Sequence, residues 1–177
     1  MLIDNDIVSE RLVLKTLDES NVGSAYLSWM NNDEVIKYLE IKHTQPKSIT
    51  DLVNFVNGIN SDDKTLLLGI FLKKNNLHIG NIKLGPINSH HNRADIGFII
   101  GDKKYWGHGY STEAIGALVK FAFNEIGLQK LTAGCYEGNI GSAKALLKAG
   151  FIQEATLNSH VILGDKRVNV FIFGIVL

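Results

Sequence analysis

The stretch Lys103-Lys104-Tyr105-Trp106-Gly107-His108-Gly109-Tyr110-Ser111-Thr112-Glu113-Ala114 lies directly after an apolar, strand-like run, Ile96-Gly97-Phe98-Ile99-Ile100. A helix-period run follows it, with Ala114, Ile115, Leu118, Val119, Ala122 and Ile126 on one face. Strand, glycine-bearing loop and helix, in that order, build an anion site. The two glycines leave the backbone uncrowded, so successive N–H groups can point into one concavity. A helix opening at about Tyr110 adds its unpaired N–H groups and the positive end of its dipole. A phosphate or pyrophosphate is the natural guest.

Two common nucleotide loops fail on spacing. A dinucleotide fingerprint needs a third glycine where Thr112 stands, and a Walker loop needs Gly-Lys-Ser/Thr where the chain reads Gly107-His108-Gly109. What survives is basic-x-x-Gly-x-Gly from Lys104 to Gly109. Downstream, Asn139-Ile140-Gly141-Ser142-Ala143-Lys144-Ala145-Leu146-Leu147-Lys148-Ala149-Gly150-Phe151 reads as one short helix. Asn139 caps its start, Gly150 falls where a left-handed C-terminal cap belongs, and Phe151 begins the next strand.

Together these motifs resemble the GCN5-related N-acetyltransferases (GNAT). The opening strand Ser9-Glu10-Arg11-Leu12-Val13-Leu14-Lys15 and the stretch Tyr26-Leu27-Ser28-Trp29-Met30-Asn31-Asn32-Asp33-Glu34-Val35 extend the likeness to the branch that acetylates ribosomal-protein N-termini. The resemblance runs from about Ser9 to Val176. It implies the acyl-CoA N-acyltransferase fold: a mixed sheet of about seven strands flanked by helices on both faces, splayed between the strands at Ala94–Ile100 and Lys130–Tyr136. It implies acetyl-CoA as co-substrate. The pyrophosphate would lie on Lys104, Tyr105, Trp106, Gly107, His108, Gly109, Tyr110 and Ser111. Backbone N–H groups of Phe98, Ile99 and Ile100 would serve the thioester. Asn139, Ser142 and Lys144 would lie along the pantetheine arm.

Acetyl transfer to an amine needs a neutral amine, donors to the thioester oxygen and a proton for the leaving thiolate. Many family members carry a tyrosine where this chain has Leu146, seven residues beyond Asn139. Ser142, which matches a serine of the ribosomal-protein-acetylating branch, is therefore the expected acid, with Tyr136 as fallback. Asp95 matches a frequent acidic residue of the family and is the expected base. An acid in an apolar strand also suits a solvent-facing position. The acceptor is expected to be the amine of a small metabolite such as an amino sugar. Alternatives are a protein N-terminal amine and a non-catalytic acyl-CoA-binding module. Tyr26, Trp29, Tyr38 and Phe55 have helical spacing, which fits core packing first, although the family builds its acceptor pocket in that region.

The 177 residues, 45% of them hydrophobic, suit one domain over 1–177. Eighteen basic residues balance 18 acidic ones, which argues against general nucleic-acid or anionic-membrane binding. Met1–Asp6 lacks the pattern of a secretory leader, and no run approaches about 18 apolar residues, so a cytoplasmic monomer or homodimer is expected. The one cysteine, Cys135, reads as a buried thiol. His90, His91 and His108 lack a third ligand at metal spacing, so no metal is expected.

Strands are predicted at about Glu10–Thr16, Thr65–Leu72, His78–Leu84, Ala94–Ile100, Lys130–Tyr136, Ile152–Ile162 and Val168–Val176. Helices are predicted at roughly Ser20–Met30, Asp33–Leu39 and Ile49–Gly58, from Tyr110, and from Asn139, with Ser48 capping the third. Strands enclosing interspersed helices make an α/β sandwich with a mixed sheet.

Overall fold

The computed structural model describes residues 1–177, the side chains of Lys42 and His43 excepted. In chain order the elements are β1 (Ile7–Val8), β2 (Leu12–Thr16), α1 (Ser24–Met30), α2 (Asp33–Ile36), α3 (Ile49–Asn60), β3 (Leu66–Leu72), β4 (Leu77–Leu84), β5 (Arg93–Ile100), α4 (Tyr110–Asn124), β6 (Lys130–Tyr136), α5 (Ile140–Lys148), β7 (Ile152–Leu163) and β8 (Lys166–Val176). Single 3-10 turns stand at Glu19–Asn21, Glu40–His43 and Lys103–Tyr105. The sheet has eight strands in the order β1-β2-β3-β4-β5-β6-β8-β7. The strand beyond the expected seven is β1, whose two residues are too short to show any periodicity.

Local chemistry explains most element boundaries. Ser48 caps α3 in a reciprocal box with Asp51, and Asn139 caps α5 through the Ser142 N–H. The predicted helix over residues 20–30 is broken: Asp18 caps a short 3-10 turn, and α1 starts afresh after Gly23. The helix expected to reach Leu39 ends at Ile36. Gly150, at a φ of 96°, closes α5 in the left-handed conformation that glycine adopts most readily.

The sheet is covered on both faces, which is why β3 reads as an unbroken apolar run, Leu66-Leu67-Leu68-Gly69-Ile70-Phe71-Leu72. On one face Leu68, Ile70, Ile96 and Ile100 pack with Ala114, Ile115 and Leu118 of α4 and Leu146 of α5. On the other, Leu67 and Phe71 pack with Tyr26, Trp29 and Met30 of α1 and Leu52 and Val56 of α3. Truncating any of these fully buried leucines to alanine costs about 2–5 kcal/mol. No helix is long and apolar enough to cross a membrane.

One polar clamp fastens α4 to β2. Glu113, in the first turn of α4, accepts hydrogen bonds from the Ser9 hydroxyl at 2.7 Å, the Arg11 N–H at 2.7 Å and the Arg11 guanidinium at 2.6 Å. Partial burial alone would lift the Glu113 pKa. The Arg11 N–H, the Ser9 hydroxyl and the Arg11 guanidinium outweigh that lift and hold the carboxyl below its usual range.

Three substitutions test this packing. A Cβ on Gly80 would lie 2.2 Å from the Ile99 carbonyl oxygen, against the backbone of the neighbouring strand, whereas one on Gly116 of α4 meets nothing. Gly80→Ala should therefore cost at least about 1–3 kcal/mol in chemical denaturation. Gly116→Ala should gain roughly 0.5–1 kcal/mol. Glu113→Gln should lower stability by roughly 1 kcal/mol at pH 7. Because the native pKa is depressed, that deficit is complete above the unfolded value of about 4.3 and fades as pH falls through the native value. Equal deficits at pH 7 and pH 3 would contradict the clamp.

Candidate active site

β5 and β6, the parallel pair, are hydrogen-bonded neighbours only at Arg93–Lys130, Ala94–Leu131 and Asp95–Thr132. Beyond those residues they part, while β5 keeps its register with β4 as far as Ile100, and β6 with β8 as far as Tyr136. The Gly85 N–H binds the Asp95 carbonyl and the Gly101 N–H binds the Ile79 carbonyl, so odd-numbered residues of β5 turn their backbone groups to β4. Ile96, Phe98 and Ile100 turn theirs into the gap. Ile99 is thus a correction to the expected donor set: its backbone belongs to the β4 ladder opposite Asn81. On the far bank, the Leu177 N–H on the Gln129 carbonyl fixes the alternation of β6 and leaves Gly134 and Tyr136 facing the gap. At the open end the Trp106 indole N–H donates to the Ile100 carbonyl at 2.6 Å.

Past that open end the chain turns through the glycine loop. Gly107 and Gly109 have φ of 77° and 80°, and no atom lies within 4 Å of where a Gly107 Cβ would sit. Among the described residues, the N–H groups from Gly107 to Thr112 have no protein partner; the next, on Glu113, binds the Gly109 carbonyl. Arg11 braces the loop from behind. Its guanidinium donates to the His108 carbonyl at 3.1 Å and lies 4.4 Å from the Tyr110 ring centroid. The His108 carbonyl is therefore turned away from the unpaired N–H groups. Lys104 and Lys144 are exposed beside this machinery, and Ser111 stands in the first turn of α4.

On the α1–α3 face of the sheet lies a cleft of about 780 Å³. Its floor is two neighbouring rows on one face of three strands: Leu67 of β3, Lys83 of β4 and Gly97 of β5, then Asn81 of β4 and Ile99 of β5. Tyr26 and Met30 of α1 and Leu52 and Phe55 of α3 wall it, and residues 39–41 and 44–47 border it. Two hydroxyls fasten that border to the end of β6: Tyr38 donates to the Gly138 carbonyl at 3.1 Å, and Tyr136 donates to the Glu40 carboxylate. Burial pushes the Tyr26 phenol up to about 12, so it stays protonated at neutral pH.

The expected chemical residues fall as follows. Asp95 sits at the closed end of the gap, accepts from the Thr132 hydroxyl and has Arg93 at 3.9 Å. It shares its face of β5 with Gly97, on the cleft floor. Ser142 is half-buried in the first turn of α5, and its hydroxyl is uncommitted among the described residues. Asn139 spends its side-chain oxygen on the cap, which leaves its amide N–H groups free. Tyr136, the fallback acid, is committed to Glu40. Leu146 is 1% exposed, so the family's tyrosine position is a core position here. Burial pushes the Cys135 thiol up to about 11, where it stays protonated and unreactive. His90 and His91 lie in an exposed turn, 4.7 Å apart at their ring centroids.

Sequence reasoning missed Lys83 and Asn81. A polar residue in a strand reads as solvent-facing, and only the register reveals that both stand on the floor of a covered face. The available signal was their i, i+2 spacing within an apolar run, which puts them on one side.

Residues 11–152 match the family model described as the acetyltransferase (GNAT) domain. The uncharacterized N-acetyltransferase p20 of Bacillus licheniformis is 24% identical over 170 residues, spanning 96% of this chain and 94% of that protein. The crystal structure of a GNAT-family acetyltransferase from Bacillus anthracis matches with a TM-score of 0.82 at 24% identity, over 97% of this chain and 98% of that one. Spermidine N-acetyltransferase from Vibrio cholerae, solved with CoA and spermine, matches with a TM-score of 0.83 at 19% identity, over 95% and 96%. At these identities the solved structures speak to the fold alone. The family model covers far more than half of the sequence, and on that ground the chain belongs to the GNAT acetyltransferases, enzymes that take acetyl-CoA as their acetyl donor.

Proposed function

We propose that the chain works as one domain over residues 1–177 and acetylates the primary amine of a small molecule. In this reading the pantetheine arm enters the gap between β5 and β6, the pyrophosphate rests on the Gly107–Thr112 N–H groups, and the amine arrives through the cleft. The single observation that carries it is the sharing of β5. Its even-numbered backbone groups line the gap, its odd-numbered Gly97 and Ile99 floor the cleft, and its C-terminus runs into the glycine loop. Donor and acceptor sites so placed meet at one strand, and juxtaposition alone is worth several kcal/mol of barrier.

The chemistry asks little more of the protein. The Phe98 N–H stabilises negative charge on the thioester oxygen as the amine attacks. The new C–N bond forms, the C–S bond breaks, and the sulfur takes a proton from Ser142, which recovers one from the reacting amine by way of water. Before the attack, Asp95, at the closed end of the gap, takes through a water relay the extra proton of an amine that arrives as its ammonium, and the product amide keeps the last N–H. A mainly apolar cleft of about 780 Å³ has the size of a small-molecule site, which favours a small amine over a protein tail.

Two measurements test these roles. Gly109→Glu puts bulk and negative charge at a residue with φ of 80°, in front of the α4 N-terminus. Acetyl-CoA affinity by titration calorimetry should fall at least about tenfold, or roughly 1.4 kcal/mol, and unchanged affinity in a folded variant would defeat the loop assignment. Ser142→Ala should lower kcat by about tenfold to a hundredfold with acetyl-CoA affinity nearly unchanged. A wild-type kcat, with chemistry rate-limiting, would remove Ser142 from the mechanism.

A further inference from the structure

The floor of the cleft carries two hydrogen-bond donors, Lys83 and Asn81, below mainly apolar walls. Lys83 is half-buried, and among the described residues its ammonium has neither a carboxylate within salt-bridge distance nor a hydrogen-bond partner. Asn81 is 5% exposed. Its side-chain oxygen lies 2.8 Å from His78 Nε2, which is also 2.9 Å from the Gly80 carbonyl oxygen. Two oxygens around Nε2 mark it as the protonated nitrogen. With its oxygen so engaged, Asn81 is left with its amide N–H groups, for which no protein acceptor stands among the described residues. Lys83 and Asn81 are two residues apart in β4 and share one face.

Neither group is cut off from water, and a ligand that supplies oxygen acceptors there replaces that water with charge-assisted hydrogen bonds. Gly97 lies directly opposite Lys83, and no atom stands within 4 Å of its missing Cβ, so the floor beside Lys83 is open. The surrounding walls are Tyr26, Met30, Leu52 and Phe55. Phe55 is 45% exposed, an aromatic ring presented on the helix surface at the cleft instead of in the core.

We infer that the acceptor is a primary amine carrying an apolar side chain and a carboxylate, the carboxylate held by Lys83 and Asn81. This rests on the proposal that the cleft is the acceptor site. It points away from two other classes. A polyamine would bring ammonium groups onto Lys83, and like charges on a low-dielectric floor disfavour binding. The acidic side chains at the border are already engaged: Glu40 accepts from Tyr136, and Asp51 accepts from the Lys47 and Ser48 N–H groups. An amino sugar would meet Met30, Leu52 and Phe55 along much of the wall, where its ring of hydroxyls needs partners.

The test is coenzyme A thiol release with matched amines: phenylalanine against phenethylamine, 6-aminohexanoate against hexylamine, with glucosamine and spermidine alongside. The wild-type enzyme should favour the carboxylate-bearing member of at least one pair by about tenfold or more in kcat/KM, and should use glucosamine and spermidine less well than that member. Lys83→Met, with its apolar chain of similar length, should bring the members of that pair to within about threefold, with the KM for acetyl-CoA unmoved. No carboxylate preference, no turnover of any of these amines, a preference for glucosamine or spermidine, or a ratio that survives Lys83→Met each overturns the inference. Phe55→Ser separates it from the reading beneath. A raised KM for every amine turned over keeps the cleft as the acceptor site even where the carboxylate assignment fails. An unchanged KM removes the cleft itself, and the inference with it.

Discussion

The parting of β5 from β6 is the constraint around which this molecule is organised. A sheet interior ordinarily pairs every backbone N–H and C=O, and leaving such groups unmet away from water is expensive. Here β5 is held by β4 on one side and β6 by β8 on the other, so the two half-sheets follow their own twists and separate beyond Asp95 and Thr132. The Trp106 indole satisfies one of the exposed carbonyls, that of Ile100. The Asn139 N–H satisfies another, that of Tyr136, and the groups left along the gap suit a partner with the spacing of another strand, which the two amides of a pantetheine arm resemble.

Much of the rest serves to hold the two ends of that gap in place. At the open end, Arg11 and Glu113 lock the glycine loop and the first turn of α4 onto β2, so the unpaired N–H groups from Gly107 to Thr112 are presented by a fixed frame. Preorganised dipoles of this kind bind an anion without the cost of reorienting. At the cleft side, Tyr38 and Tyr136 tie the Leu39–Ile41 border across to the far half-sheet. The cleft wall and the gap are thus fastened to each other.

What the sequence revealed was what is decided locally. Gly107 and Gly109 are needed for their positive φ, Ser48 and Asn139 announce helix starts by side-chain chemistry, and the apolar run of β3 marks a strand covered on both faces. Each follows from residues within a few positions of one another. What stayed hidden depends on register or long-range packing. Helical spacing could not separate Trp29, 7% exposed in the core, from Phe55, 45% exposed on the cleft. Nor could it show that Ile99 points its backbone at β4 while Phe98 and Ile100 point theirs at the gap, a distinction set by strand pairing. Lys83 looked like any surface lysine until the floor of the cleft was assembled around it.

Residue-resolved amide hydrogen exchange, with and without acetyl-CoA, tests the central claim most directly. If the gap receives the coenzyme, the Phe98 amide and those of Gly107 to Thr112 gain protection on binding. Ile99, already paired to β4, is protected throughout and changes little. Acetyl-CoA binding that leaves Phe98 and the loop amides exchanging as fast as before would contradict the account.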